Sequence, residues 1–444
     1  MDKNLGKKSL LGLQHVLAMF GATVLVPMLT GLNASIALIS AGIGTLLFHL
    51  ITKRKVPVFL GSSFAFIAAI QFVLGTDQMT KVSNELIVLD NLAKVKGALI
   101  VAGLIYIVFA LVIKLVGYEK VTRLLPPIVT GPMIIVIGLR LSGNAITDAL
   151  YKSTTVIDAT GHEVTTSTFA PNYAAVAFLV VLTIILISVF TKGFINLMPI
   201  LVALVIGYLL SIPFGALDIN EWCKDFKDAS FLSLANPHII DQITVLPKFD
   251  LSAILAIAPI AIVTIIEHVG DITTNGAVVG KNFIADPGVH RTLIGDGLAT
   301  ALAGCLGGPA NTTYGENTGV LAVTKNYDPS IIRLAAVFAI FIGIFGKIGA
   351  IIQNVPRPVS GGISIVLFGM IASVGVRILI NNQVDMSNSR NLMIASLIFV
   401  LGIGIDTISL TGSVTLSGLA VAALFGIVFS LVLPEKSGTQ QAEN

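Results

Sequence analysis

The sequence predicts an all-α polytopic membrane protein: fourteen transmembrane segments in a seven-plus-seven inverted repeat, with two short broken segments, the third and the tenth, pairing near the midplane. Three observations predict it, and composition is the first. Of 444 residues, 55% are apolar and only 11% charged, with 42 glycines among them, whereas soluble domains carry about 25% charged residues. A chain this apolar cannot cover a water-facing surface, and at about 20 residues per transmembrane helix it holds on the order of a dozen spans. Secreted, collagenous, disordered and nucleic-acid-binding classes are excluded, and bilayer lipid is the first expected partner. The other two observations are the spacing of the apolar runs and a repeated proline-glycine string.

The apolar runs fall near residues 10–30, 34–52, 56–75, 95–113, 124–143, 173–190, 194–212, 251–273, 290–307, 312–325, 331–354, 358–380, 391–408 and 413–433. The first follows a basic start, as a signal peptide would. It continues through Gln14, His15 and Pro27 without a small-residue cleavage site, so it is expected to remain as a span. The third opens on Pro57 and carries Gly61, Ser62 and Ser63; the tenth is interrupted by Thr312, Thr313, Gly315, Glu316, Asn317 and Gly319. Irregular backbone at membrane depth survives only where protein or a wet cavity satisfies it.

An even span count puts both termini on the same side, expected to be the cytoplasm of a multi-pass protein of the cytoplasmic (inner) membrane. In that orientation the cytoplasmic loops hold seventeen lysines and arginines and the outside loops nine, Lys96 and Arg140 among them, with Lys347 left inside a span. The bias follows the positive-inside rule. Cys223 and Cys305 show neither metal-ligand spacing nor an evident disulfide, and no cofactor is expected.

The string Pro126-Pro127-Ile128-Val129-Thr130-Gly131 recurs 230 residues on as Pro356-Arg357-Pro358-Val359-Ser360-Gly361, followed by Ile135-Val136 and Ile365-Val366. These strings lie in the fifth and twelfth segments, and the broken segments are the third and tenth. Both pairs are seven apart, and an odd separation makes the second copy enter the membrane from the opposite side. Paired interrupted segments in inverted halves point to a midplane transport site.

Ionisable groups within apolar spans are costly and are functional candidates by default. The eighth segment, IAPIAIVTIIEHVGDITTNG, stacks Glu267 and Asp271 on one helical face, with Thr264 and Thr274 in the same stripe. His268 points about 100° away from Glu267. Two carboxylates one turn apart in a poorly solvated place resist double ionisation. Glu267, Asp271, Glu316 and His268 are therefore the candidates for proton coupling, with H+ as the expected coupling ion.

In the tenth segment Glu316 stands between Gly315 and Asn317, where glycine lets the backbone break. A half-helix start exposes N–H groups that can donate to a ligand oxygen, and Gly61, Ser62 and Ser63 supply the same device beside Phe64. Backbone donors from two sides, carboxylate acceptors at Glu267 and Glu316, and aromatic faces at Phe64 and Tyr314 suit a planar, neutral, amide-like ring with alternating N–H and C=O groups. Neither broken segment has a cation in its middle, since Lys325 lies at the end, which disfavours a bulky anion. No His-x-x-x-His pair, Gly-x-Ser-x-Gly string or phosphate-binding loop is present, so an enzyme or an ATP-driven pump is not expected.

The string ENTGVLAVTK, Glu316 to Lys325, resembles the signature of the nucleobase–ascorbate transporter (nucleobase:cation symporter-2) family. In that signature an acidic residue or glutamine precedes Asn-x-Gly, and a threonine and a basic residue close the motif. QHVLAMFGATVLVP from Gln14, LGSSFAFI from Leu60, EHVG from Glu267, DPGVHR from Asp286 and NTTYGEN from Asn311 extend the resemblance over residues 10–433, closest to the family's uracil-transporting bacterial members.

The resemblance implies import of uracil by proton symport. It implies a core domain, residues 1–113 (spans 1–4) and 251–355 (spans 8–11), working against a gate domain, residues 114–250 (spans 5–7 with long outside loops) and 356–444 (spans 12–14 and a cytoplasmic tail). The joints lie near 114–126 and 355–359, and a homodimer is the usual assembly. Glu267 and Glu316 would hold the base, the amides of Phe64 and Gly315 would donate to its carbonyl oxygens, and Asn317 would be the signature amide beside the site, with His15 and Gln14 supporting. Where such uracil transporters often carry a histidine four residues after the EHVG glutamate, this chain has Asp271, which alters how a proton is shared. Xanthine or urate transporters share the signature but more often place glutamine at Glu316. An anion exchanger or channel of the same fold would need a cation there.

Overall fold

The computed structural model describes residues 3–75, 89–117, 126–157, 163–411 and 414–434. Lys81, most of the first expected joint (118–125) and both chain termini lie outside the described residues.

In chain order the helices are α1 (Lys3–Thr30), α2 (Ala34–Ile51), α3 (Ile67–Leu74, entered through a 3-10 turn at Phe64–Phe66), α4 (Leu89–Val116), α5 (Pro127–Leu150), α6 (Pro171–Phe190), α7 (Pro199–Ser211), α8 (Ile219–Asp228), α9 (Pro237–Thr244), α10 (Leu251–Ile257), α11 (Ile260–Val279), α12 (Val289–Leu306), α13 (Gly315–Thr324), α14 (Pro329–Ile344), α15 (Gly346–Gln353), α16 (Arg357–Asn381), α17 (Ser389–Gly404) and α18 (Gly418–Val432). Proline opens α5, α6, α7, α9 and α14 in the first turn, where its missing N–H costs nothing. Among the described residues, seven helical stretches are long and apolar enough to cross a membrane, judged by length and composition.

The chain is not all helix. Strand β1 (Leu60–Ser62) pairs with β4 (Asn311–Thr313), β2 (Tyr151–Ile157) with β3 (Glu163–Phe169), and β5 (Thr407–Thr411) with β6 (Val414–Ser417), each pair antiparallel. The β2–β3 hairpin occupies what reads in sequence as a plain outside loop; its threonines and valines favour extended backbone. The last apolar run starts as strand and becomes helical only at Gly418. Two other runs are interrupted. Pro259 marks the turn between α10 and α11, and Phe345, extended at φ −83° and ψ 102°, separates α14 from α15.

Two cations expected in outside loops lie within helices instead. Lys96 is buried in α4, where its ammonium donates to the carbonyls of Gln242 (3.0 Å), Ile243 (3.0 Å) and Val245 (2.7 Å) at the end of α9. Arg140 in α5 donates to the carbonyls of Gly402 (2.8 Å) and Ile405 (2.6 Å) at the end of α17. Both satisfy carbonyls that a helix C-terminus leaves without partners, which is why a charge is tolerated there. The DPGVHR string is also structural: Lys55 pairs with Asp286 at 2.6 Å, its hydrogen bond holding that carboxyl below the usual carboxylate range, and Arg291 donates to the Ile51 carbonyl at 3.3 Å.

Helix α2 packs between α12 and α14, with α4 against α12; α16 packs against α5 and α6. The α5–α16 contact is antiparallel and built on glycine. A Cβ on Gly131 would come within 2.7 Å of Leu379 Cγ, one on Gly138 within 2.5 Å of the Phe368 carbonyl, and one on Gly361 would strike the backbone of Ala149. A shift of 230 residues carries Gly131 to Gly361, Gly138 to Phe368 and Ala149 to Leu379, so the contacts are mates of one another.

Candidate functional site

The two broken segments meet. In the β1–β4 pair Gly61 faces Thr312, and the ladder is extended by the Ser63 amide donating to Ala310 (2.8 Å) and the Tyr314 amide donating to Phe59 (3.0 Å). Polar side chains of α2 and α12 satisfy the unwound backbone, and Asn311 of β4 ties it back to α2. Thr45 accepts from the Leu60 amide (2.9 Å) and donates to its carbonyl (3.2 Å), Asn311 donates to the Ser40 carbonyl (2.9 Å), and Thr300 donates to the Asn311 carbonyl (2.6 Å). Such pairing is what permits non-helical backbone at membrane depth.

Each strand runs directly into a helix start, at Phe64 and at Gly315, and neither start is capped by a side chain. The first turns of both helices, whose N–H groups have no partner further back in the helix, border one place. That place is a cavity of about 1260 Å³ lined by Ser63, Phe64, Tyr314, Gly315, Glu316, Glu267 and Asp271. Asp271 lies close to the start of α13: its Oδ1 is 3.6 Å from where a Gly315 Cβ would stand. Among the described lining residues the one cation is Arg377, near the end of α16, where the exposed Asn381 and Asn382 line the cavity with Pro126 and Pro127, the end taken as its mouth. The arrangement offers acceptors from three carboxylates and donors from two helix starts, with Arg377 the one cation among the described lining residues.

Of the remaining expected residues, His268, Asn317, His15 and Gln14 are not among the cavity lining. Tyr314 also lines the cavity, but its hydroxyl donates to the Ser62 carbonyl at 2.7 Å and accepts from Thr23 at 3.4 Å. His268 is buried on the far side of α11, its Nδ1 2.6 Å from Thr313 Oγ1 and 3.4 Å from an Asp296 oxygen. Asn317 donates to His15 Nδ1 and to the His15 carbonyl, both at 3.1 Å, which ties α13 to α1 away from the cavity. Gln14, half-buried on α1, is not among the cavity lining.

Sequence reasoning missed Asp296 and Tyr106. Thr313 donates to Asp296 at 3.3 Å, and Tyr106 donates to Thr264 on the Glu267 helix at 2.6 Å. The signal for Asp296 was available, since it is an ionisable residue inside the apolar string IGDGLATALAG.

Comparison with known proteins agrees with this geometry. The model described as Permease family (Xan_ur_permease) matches residues 6–432. A uracil permease of Bacillus caldolyticus is 42% identical over 98% of this chain and 93% of its own length. A uracil permease of Bacillus subtilis (strain 168) is 40% identical over 96% of this chain and 93% of its own. Among solved structures, the transmembrane domain of a cyanobacterium bicarbonate transporter, BicA, matches with a TM-score of 0.60 over 97% of this chain and 98% of that one, at 17% identity, a likeness of fold alone. With its apolar helices, its crossed broken segments and a full-length match to proteins named permeases, the chain is a multi-pass membrane transporter that belongs to the Permease family, the nucleobase–ascorbate transporter family its motifs resemble.

Proposed function

We propose that this chain imports uracil with protons across the cytoplasmic membrane. The observation that carries the reading is the meeting, in one cavity, of two half-helix starts without a side-chain cap and the carboxylates of Glu267, Asp271 and Glu316, with a single cation, Arg377, among the described lining residues. Uracil offers two ring N–H donors and two C=O acceptors in one plane. Carboxylates accept from the first and the amides of Phe64 and Gly315 donate to the second, with the Phe64 ring against the base. The relatives' names favour uracil over xanthine or urate.

The architecture we propose is a fourteen-span inverted repeat with both termini in the cytoplasm, assembled as a homodimer. The mated glycine contacts of α5 and α16 and the crossing of β1 with β4 support the repeat. A core of spans 1–4 and 8–11 moves against a gate of spans 5–7 and 12–14. In support, α1, α2, α4, α12 and α14 pack chiefly among themselves, as do α5 to α7 with α16 to α18. With both termini in the cytoplasm, the cavity end lined by Pro126 and Asn382 is the cytoplasmic one, and the exposure of Asn381 and Asn382 supports an inward-open reading.

Coupling is assigned to the carboxylate pair: Asp271 takes the proton while Glu267 accepts from the base, and the proton leaves when the site opens inward. A proton moving down 100 mV supplies about 2.3 kcal/mol, enough for roughly fiftyfold accumulation of a neutral substrate. The test is uptake of labelled uracil in a strain without its own base transporters, challenged with unlabelled uracil, thymine, cytosine, xanthine and ascorbate. Uracil should compete best; equal competition by xanthine would move the assignment to purines.

A further inference from the structure

The connection between α7 and α10 reads in sequence as loops of the gate, yet its fastenings lie elsewhere. Gly346 donates to the Phe231 carbonyl at 2.9 Å and Ser233 to the Gly343 carbonyl at 2.8 Å. Lys347 donates to the carbonyls of Phe226 (2.5 Å) and Lys227 (3.0 Å), and the Lys248 amide donates to Ala93 at 2.8 Å. These partners belong to α4, α14 and α15. The connection, α8 included, is therefore bolted to the core.

Between α8 and the gate lies a second cavity, of about 330 Å³, with Trp222 and Glu221 on one wall and Lys152, Tyr173 and Arg357 on the other. Tyr208, on α7 of the gate, makes the polar bridge beside it. Its hydroxyl donates to the carbonyls of Ile351 (3.0 Å) and Asn354 (2.9 Å) at the end of α15, and accepts from Trp222 Nε1 at 2.8 Å. Trp222 in turn stacks on Phe226, with ring centroids 5.3 Å apart and planes 4° from parallel, and the Lys347 ammonium sits 5.0 Å from the Phe226 centroid. Asn354 stands three residues before α16, whose far end lines the main cavity at Asn381. At 1.5 Å per residue the 25 residues of that helix separate the two by roughly 37 Å.

We propose that Tyr208 and Trp222 form a latch that holds gate to core at the end of the molecule opposite the cavity mouth, and that it opens each time the cavity turns to the other side. The inference rests on the core-and-gate reading above, not on the identity of the substrate. One hydroxyl shares its single proton between two carbonyls that the end of α15 leaves over and accepts the indole N–H. Releasing it is a discrete event rather than a gradual slide.

The experiment uses no uracil, so it stands whether or not uracil is carried. Asn381→Cys, at the mouth, is introduced into the full chain with Cys223→Ser and Cys305→Ser, and its labelling rate by a water-soluble maleimide is measured. Each net hydrogen bond is worth roughly a factor of five in an equilibrium. Tyr208→Phe keeps the ring but removes all the hydroxyl's bonds, and should slow labelling by about fivefold or more. Trp222→Phe removes one bond and should slow it less. Trp222 is the chain's single tryptophan, so acrylamide quenching of its fluorescence should rise in Tyr208→Phe as the latch opens. Labelling unchanged in both variants, with unchanged quenching, would overturn the latch. Slowed labelling in Trp222→Phe, which retains the Tyr208 contacts to α15, supports it even if Tyr208→Phe folds poorly.

Discussion

Tyr314 donates its hydroxyl to the carbonyl of Ser62 at 2.7 Å across the β1–β4 crossing, and its ring lies so close to Gly61 that a Cβ there would come within 2.5 Å of it. The residue before the α13 half-helix thus holds the two broken segments in register, and this sets how far apart the Phe64 and Gly315 amides stand. Tyr314→Phe should lower stability by about 0.5–1.5 kcal/mol, read as a lower melting temperature in detergent, and leave uracil affinity within about twofold. Gly61→Ala, with no room for its methyl, should cost about 1–3 kcal/mol and abolish transport. A large affinity loss in Tyr314→Phe with unchanged melting would make Tyr314 a ligand contact instead.

Glu267→Gln and Glu316→Gln should each weaken uracil binding. A neutral amide accepts through one oxygen only and turns its own N–H toward those of the base. A hydrogen bond to a charged group contributes about 1.5–3 kcal/mol, or roughly ten- to a hundredfold in affinity. Isothermal titration of the purified variants checks this, and full affinity in both removes these residues from the site.

Asp296 sits beneath the crossing, with its side chain and that of His268 both 0% exposed. Asp296→Asn should lower the melting temperature, through a loss of about 1–3 kcal/mol for a disturbed buried hydrogen-bond group, before any ligand is added. Unchanged melting together with lost uptake would give Asp296 a part in the transport step rather than in holding Thr313.

Much of this arrangement is legible in the sequence because polar residues in apolar spans stand out. Glu267, Asp271 and Glu316 are visible that way, and helix geometry alone turns His268 off the Glu267 face, where the structure finds it. What a string cannot display is the partner. Asn317 reads as a ligand residue because its motif is conspicuous, yet it bonds His15, 302 positions away. Lys96 and Arg140 read as loop charges because charge predicts water, but each lies on the carbonyls of a distant helix end. The pairing of β1 with β4 depends on contacts across 251 residues, from Gly61 to Thr312, and three-residue strands carry no periodicity of their own.

Asp271→Asn separates binding from coupling. If the Glu267–Asp271 pair carries the proton, the variant should still exchange internal for external uracil but lose accumulation driven by an acid exterior. Equal accumulation by wild type and variant at acid and alkaline external pH would leave Glu267 or Glu316 as the carrier.

The most direct measurement is made on purified protein in proteoliposomes: labelled uracil is supplied outside, and an inward proton gradient is imposed. The account predicts uptake well above the equilibrium level, collapsed by a protonophore and absent in Glu316→Gln. Uracil that merely equilibrates whatever the gradient, or that does not enter at all, would contradict it.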